Sequence, residues 1–263
     1  SSARVALVPF SAAVNPGSYL ATVRGPNSSG GPACPANSTG GWDSKQCYVS
    51  TNGSNRRADR TGCVSERTGP EAFTDASPTA SNGRVNAAYG ATCPSATVIP
   101  LTDDKDALAA AIDAYAAGGW TAGQIGTAWA WYTLSPEWSD VWPAANAPAA
   151  YGDSNVMKVA VLMTDGEYNT EYTNFVRAAD QDDHPVAPNG TSDAQARTLC
   201  AEMKARGITV YTVGFQLEDA NAIETMTQCA SGDGHAFLAS DGSQLQMAFR
   251  QIAFQLAQLR LTQ

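Results

Sequence analysis

A chain of 263 residues, 43% hydrophobic and 16% charged, is long enough to bury a sizeable core and too apolar to be a disordered segment. Its 25 acidic residues outnumber its 16 Lys and Arg, giving a formal net charge of -9, so a phosphate backbone or an anionic lipid surface would repel most of it. Binding to nucleic acid or to a membrane surface is therefore not expected, and the longest apolar runs, such as residues 5–10, are too short to span a bilayer. No basic, apolar leader is legible at the start, so whatever exports the chain is expected to lie outside it.

The opening residues 4–10 read as a strand buried on both faces. Residues 15–96 change character: Gly, Ser, Asn, Thr and Pro crowd together, neither periodicity persists, and four of the six cysteines fall here. We read this stretch as an insertion held by disulfides in place of a core, within an α/β domain made of residues 1–14 and 97–263. The cysteines, Cys34, Cys47, Cys63, Cys93, Cys200 and Cys229, contain no C-x-x-C pair, and His184 and His235 lie far from them, which disfavours zinc. Their even number points to an oxidising, extracytoplasmic location: periplasm, cell surface or secreted. Of the 15 possible pairings, a local rule selects Cys34 with Cys47 and Cys63 with Cys93, while Cys200 and Cys229 join two helices.

Beyond a short strand at 97–101, Asp103 and Asp104 cap a helix whose Leu108, Ala111, Ile112 and Tyr115 recur at helical spacing and which ends at Gly118-Gly119. A second helix follows Thr121 and stops at Ser135-Pro136. Residues 156–163 read as a buried parallel strand ending in Thr164-Asp165-Gly166. A helix from Ser192 towards Gly207, a strand at 208–215, a helix at 219–229, a strand at 235–239 and a last helix striped by Leu245, Ala248, Phe249, Ile252, Leu256 and Leu259 complete the pattern. Such alternation predicts a mostly parallel sheet with helices on both faces.

In an open α/β sheet ligands bind beyond the carboxyl ends of the strands, which is where Asp165 falls. Its carboxylate and the Thr121 hydroxyl are oxygen donors of the kind Mg²⁺ and Ca²⁺ prefer, although both residues are equally fitted to cap turns and helices. An acid/base pair of Asp165 with Glu167 has no nucleophile or histidine beside it in sequence. His184, beside Asp182 and Asp183, reads as part of a solvated charge cluster and His235 as a strand-start residue. Trp120, Trp129, Trp131, Trp138 and Trp142 suit either a carbohydrate-stacking surface or the anchoring of the loop after Leu134, with packing favoured.

Residues 159–167 (Val-Ala-Val-Leu-Met-Thr-Asp-Gly-Glu) followed by 207–215 (Gly-Ile-Thr-Val-Tyr-Thr-Val-Gly-Phe) resemble the central and next strands of a von Willebrand factor type A (vWA, Rossmann-like) domain. More narrowly the chain is similar, almost end to end, to TadG-like subunits of tight-adherence (Flp-type) pilus systems, in residues 4–10, 63–67, 98–105, 121–131, Leu134-Ser-Pro136 and 259–261. The resemblance implies a metal-ion-dependent adhesion site in which Thr121 is the second motif and Asp165 the third. It also implies that the first strand and the first motif, Asp-x-Ser-x-Ser, are absent from this chain, so the site is incomplete and holds Mg²⁺ or Ca²⁺ only if that segment is supplied. Asp75-Ala-Ser77-Pro-Thr79 superficially fits the first motif but has no buried strand before it and carries Pro78 in the ligand loop, so we read it as a decoy. The function implied is a non-enzymatic, extracytoplasmic assembly or adhesion subunit of a bacterial pilus that binds protein partners or a host-surface ligand. The alternative is a secreted hydrolase using the acidic crevice around Asp165.

Overall fold

The computed structural model describes residues 3–24, 46–51, 54–59, 62–80, 83–86, 88, 93–173, 177–180 and 187–259. In chain order these form β1 (Val5–Leu7), α1 (Leu20–Arg24), β2 (Gln46–Thr51), β3 (Ser54–Asp59), β4 (Ile99–Thr102), α2 (Lys105–Asp113), α3 (Gly123–Leu134), β5 (Val159–Thr164), β6 (Thr170–Thr173), β7 (Arg177–Asp180), α4 (Ser192–Ala205), β8 (Thr209–Phe215), α5 (Ala220–Cys229), β9 (Ala236–Ala239) and α6 (Gly242–Leu259). The centre is a parallel sheet in the order β5-β8-β9. All five inner residues of β8 are buried, as a strand covered on both faces requires. Val210 and Thr212 face α4 and α5, where the Thr212 hydroxyl donates to the Met226 carbonyl at 3.0 Å. Tyr211 and Val213 face α6 and pack with Ala248 and Ile252.

Helix α3 is the hub, packed against β1, β4, β5 and α4, with every residue but Ala130 buried. Its apolar residues are spread around the whole circumference, the pattern of a helix enclosed on all sides. Two glycines permit this enclosure: a Cβ at Gly126 would stand 2.5 Å from Phe10 Cδ1, and one at Gly123 would stand 2.2 Å from Tyr168 Cε1. The carbonyl end of α3 is closed by a buried lysine, whose Lys158 amine donates to the carbonyls of Leu134 (2.7 Å) and Ala149 (2.6 Å). Burial lowers that amine to about 8, while a cation is favoured at the negative end of the helix dipole.

Several sequence expectations need correction. The opening strand is three residues long and half-exposed, because it pairs only with β4, antiparallel, in a sheet of its own. The mostly parallel sheet expected is present as β5-β8-β9, and no ladder joins β1 to β5 among the described residues. Asp104 does cap α2, accepting from the Ala107 amide at 2.9 Å, but Leu108 alone of the predicted stripe is buried, and Ile112 and Tyr115 are exposed. Residues 15–96 are not without strands: β2 and β3 form an antiparallel hairpin there. A second hairpin, β6-β7, lies between β5 and α4.

The disulfides Cys63–Cys93 and Cys200–Cys229 are both present. Cys34 of the expected Cys34–Cys47 pair lies outside the described residues, as does His184 with Asp182 and Asp183. Trp129, Trp131, Trp138 and Trp142 are buried, with Trp138 stacked on Tyr132 at 4.2 Å, so these four pack the interior and Trp120 alone of the five is exposed.

Candidate functional site

β5 is an edge strand of its parallel sheet, so one row of its backbone is unpartnered among the described residues. The Thr209 amide donates to the Lys158 carbonyl, so even-numbered residues of β5 hydrogen-bond to β8 and the N–H and C=O groups of Val159, Val161 and Met163 face the opposite edge. Among the described residues no strand lies on that edge. Val161 and Met163 are also solvent-exposed, at 39% and 38%, on the sheet face that α6 covers further along at β8.

At the carboxyl end of this strand the chain turns sharply. Thr164 Oγ1 accepts from the Gly166 amide (3.2 Å) and donates to the Gly166 carbonyl (3.0 Å), a local turn that carries Asp165 outward into solvent. Thr121 stands on the neighbouring loop, just before α3. A Cβ at Gly166 would lie 3.6 Å from the Thr121 hydroxyl, so the two predicted donors sit on adjoining backbone segments.

Asn169 holds these segments together, a role not anticipated from the sequence. Its side-chain oxygen accepts from the Thr121 amide (3.2 Å) and the Thr170 hydroxyl (2.9 Å), and its own amide donates to the Thr121 carbonyl (3.1 Å). Thr121 is further tied to the first strand's exit, because the next amide, Ala122, donates to the Ser11 carbonyl at 2.8 Å. Tyr168 lies over Gly123 beneath the loop pair, and burial pushes its phenol up to about 12.

The donor chemistry suits a hard cation, but the number of donors does not. One exposed carboxylate and one half-buried hydroxyl fall short of the six or more oxygens such ions take, and among the described residues no three His, Cys, Asp or Glu side chains converge. Glu167 is exposed beside Asp165. His235 immediately precedes β9 at the opposite end of the parallel sheet, out of reach of both carboxylates.

The Asp75-Ala-Ser77-Pro-Thr79 run is not at this site. Asp75 is buried and accepts from Ser135 Oγ and Tyr151 Oη, each at 2.5 Å, while Ser77 and Thr79 bond outward to the Asp140 carboxylate. Its hydroxyls and carboxylate therefore diverge, with Asp75 serving the interior.

The profile of the von Willebrand factor type A domain family matches residues 87–251. The chain is similar to the solved structure of proximal thread matrix protein 1 from the mussel byssus, at 17% identity and a TM-score of 0.35, covering 60% of this chain and 33% of that one. The chain thus spans a third of that protein's length. No curated protein matches the chain.

Proposed function

Because this chain belongs to the von Willebrand factor type A domain family, whose members commonly mediate protein interactions, we propose that the carboxyl end of β5 is a docking site for a protein partner and that the protein is not an enzyme. The observation that carries this reading is the meeting of Thr121 with the Asp165 turn, clamped by Asn169 at the mouth of an open sheet edge. Asp165 supplies the charge that attracts a divalent ion, Thr121 a neutral oxygen, and the ion a vacant position for a partner's carboxylate. Exposure of both Asp165 and Glu167 fits a shallow docking point better than a hydrolytic crevice, which needs convergent groups in a water-excluding pocket.

The similarity to TadG-like subunits supports a finer reading: an assembly or adhesion subunit of a bacterial tight-adherence pilus, working outside the cytoplasm, where its disulfides persist. In that reading the unpaired edge of β5 is the place of a further strand, lying between β1 and β5 over α3 and bringing the Asp-x-Ser-x-Ser oxygens to Thr121 and Asp165. The separation of β1-β4 from β5-β8-β9, both packed on α3, and the exposure of Val161 and Met163 support it.

Calorimetric titration with Mg²⁺ and with Ca²⁺ tests the proposal, using this chain and a longer form that carries an upstream Asp-x-Ser-x-Ser segment. We expect weak or no binding by this chain, measurable binding by the longer form, and a loss of at least about tenfold on Asp165→Ala in that form. Undiminished binding after the substitution removes Asp165 from the site.

A further inference from the structure

Helix α6 differs on its two flanks. Leu245, Ala248, Ile252 and Leu256 pack it on the sheet, and a turn of about 100° per residue places Gln244 and Gln255 on one side of that row and Phe249 and Ala253 on the other. The Gln flank is turned to β9: Gln244 Oε1 accepts from the Ser240 amide just beyond that strand (3.0 Å), and Gln255 Nε2 donates to the Gly234 carbonyl just before it (3.3 Å). Phe249 and Ala253 are therefore turned to β5, and both are exposed.

Strand β5 presents apolar side chains on the same face. Its register with β8 sets Val161 beside Tyr211 and Met163 beside Val213, the two β8 residues that α6 covers. Val159 reaches the α6 cluster, whereas Val161 and Met163 lie open. The result is an apolar groove whose floor is β5 from Val161 to Met163, whose wall is the Phe249 and Ala253 flank, and whose far side is the open sheet edge.

Backbone chemistry selects what fills such a groove. Its lining side chains offer no hydrogen-bond donor or acceptor, so an occupant has to satisfy its own N–H and C=O groups, which an α-helix does and a loop does not. About 14 residues of helix, roughly 20 Å, match the length of β5. Connectivity favours a helix on this face as well. The crossovers β5-α4-β8 and β8-α5-β9 advance toward β9 with their helices on the other face. A right-handed crossover from a strand added parallel to β5 at its open edge, advancing away from β9, puts its helix on the α6 face. Such a helix begins at the carboxyl end of β5, where the exposed Asp165 and Glu167 supply the negative charge that a helix N-terminus favours. Arg250, exposed next to Phe249 on α6, complements an acidic residue on the outer side of that helix.

We propose that the groove between α6 and β5 receives an amphipathic helix of the docking partner, with its apolar stripe on Val161, Met163 and Phe249 and an acidic residue opposite Arg250. That the helix continues from a strand at the β5 edge rests on the docking reading; the groove itself needs neither metal nor Asp165.

The test uses the metal-free protein and a neutral peptide of about 14 residues, with Leu at i, i+3, i+4 and i+7 and Ala, Glu and Lys between, beside a peptide of the same composition with the Leu positions scrambled. We expect the striped peptide to gain helicity by circular dichroism as it saturates and to shift the methyl signals of Val161 and Met163, with the scrambled peptide at least about tenfold weaker. Phe249→Glu is expected to cost at least about tenfold in affinity, and Met247→Glu, on the exposed outer side of the same helix, less than about twofold. Val161→Lys takes the place of Phe249→Glu should that variant not fold. Absence of a saturable shift at the two methyls, equal binding of the two peptides, or equal loss in the Phe249 and Met247 variants overturns the proposal. Methyl shifts that change with protein concentration alone also overturn it, by placing a second copy of the chain in the groove. So does protection of the Val161 and Met163 amides by the striped peptide, which would make it a strand at the edge. None of these readouts involves a metal, so they stand or fail independently of the Mg²⁺ and Ca²⁺ titrations.

Discussion

Replacing Asp75 by alanine is expected to lower the unfolding free energy by about 3–5 kcal/mol, as removal of one partner from a buried charged network does. The carboxylate is 2% exposed and accepts from the hydroxyls of Ser135 and Tyr151 at 2.5 Å each. Tyr151 in turn accepts from Trp131 Nε1 at 2.8 Å, and Arg206 approaches the other carboxylate oxygen at 3.7 Å. Loss of the carboxylate strands two hydroxyls, while the half-exposed Arg206 keeps its water, and it releases the segment around Asp75 from the end of α3. Burial, reinforced by the bond to Asp75, holds the Tyr151 phenol well above its usual range. Asp75→Asn keeps one acceptor oxygen and is expected to cost less, about 1–2 kcal/mol. Urea denaturation of the three proteins measures both numbers; a loss below about 1 kcal/mol for the alanine variant contradicts the network.

Removing the Cys200–Cys229 bridge by a double serine substitution is expected to cost about 3–4 kcal/mol. The bridge closes a loop with a sequence separation of 29, for which chain entropy alone gives a value of that size. Both sulfurs are fully buried between α4 and α5, which adds the cost of placing two hydroxyls in an apolar setting. The Cys63–Cys93 bridge has a separation of 30 and a similar entropic value. Its loss is expected to act locally, freeing the Glu66 segment before the α/β layer melts. Thermal unfolding of each double variant, followed by tryptophan fluorescence, separates the two effects, since Trp129 and Trp138 pack beside the Glu66 segment. A single shared transition shifted equally in both contradicts the local role.

Elements whose burial is decided by their own periodicity were legible in the sequence. The strand expected at 208–215 is present as β8, and the stripe of α6 packs on it through Leu245, Ala248, Ile252 and Leu256, whereas Phe249 of that stripe is exposed. A cap was equally plain: Asp104, expected to cap α2, accepts from the Ala107 amide. The hairpin β6-β7 escaped notice because Thr170-Glu-Tyr-Thr and Arg177-Ala-Ala-Asp carry no apolar alternation. The stripe on α2 was legible but misleading, since periodicity shows that a helix has an apolar face and not that anything covers it.

At the candidate site, Thr121 and Asp165 stood out through strand ends and a resembling motif, and the fold sets the Gly166 backbone beside the Thr121 hydroxyl. Asn169 left no such mark, and Glu66 lay in the resembling stretch 63–67 with no role attached to it. A lone Asn after a turn and a lone Glu beside an Arg are ordinary surface residues until long-range packing buries them, and no local spacing encodes that burial.

Amide hydrogen exchange along β5, resolved residue by residue in this chain, tests the docking account most directly. The open edge predicts alternation: slow exchange at Ala160, Leu162 and Thr164, which face β8, and fast exchange at Val161 and Met163, which face the open edge. Equal protection of both sets in this chain would show that the edge is already closed, and would contradict the account.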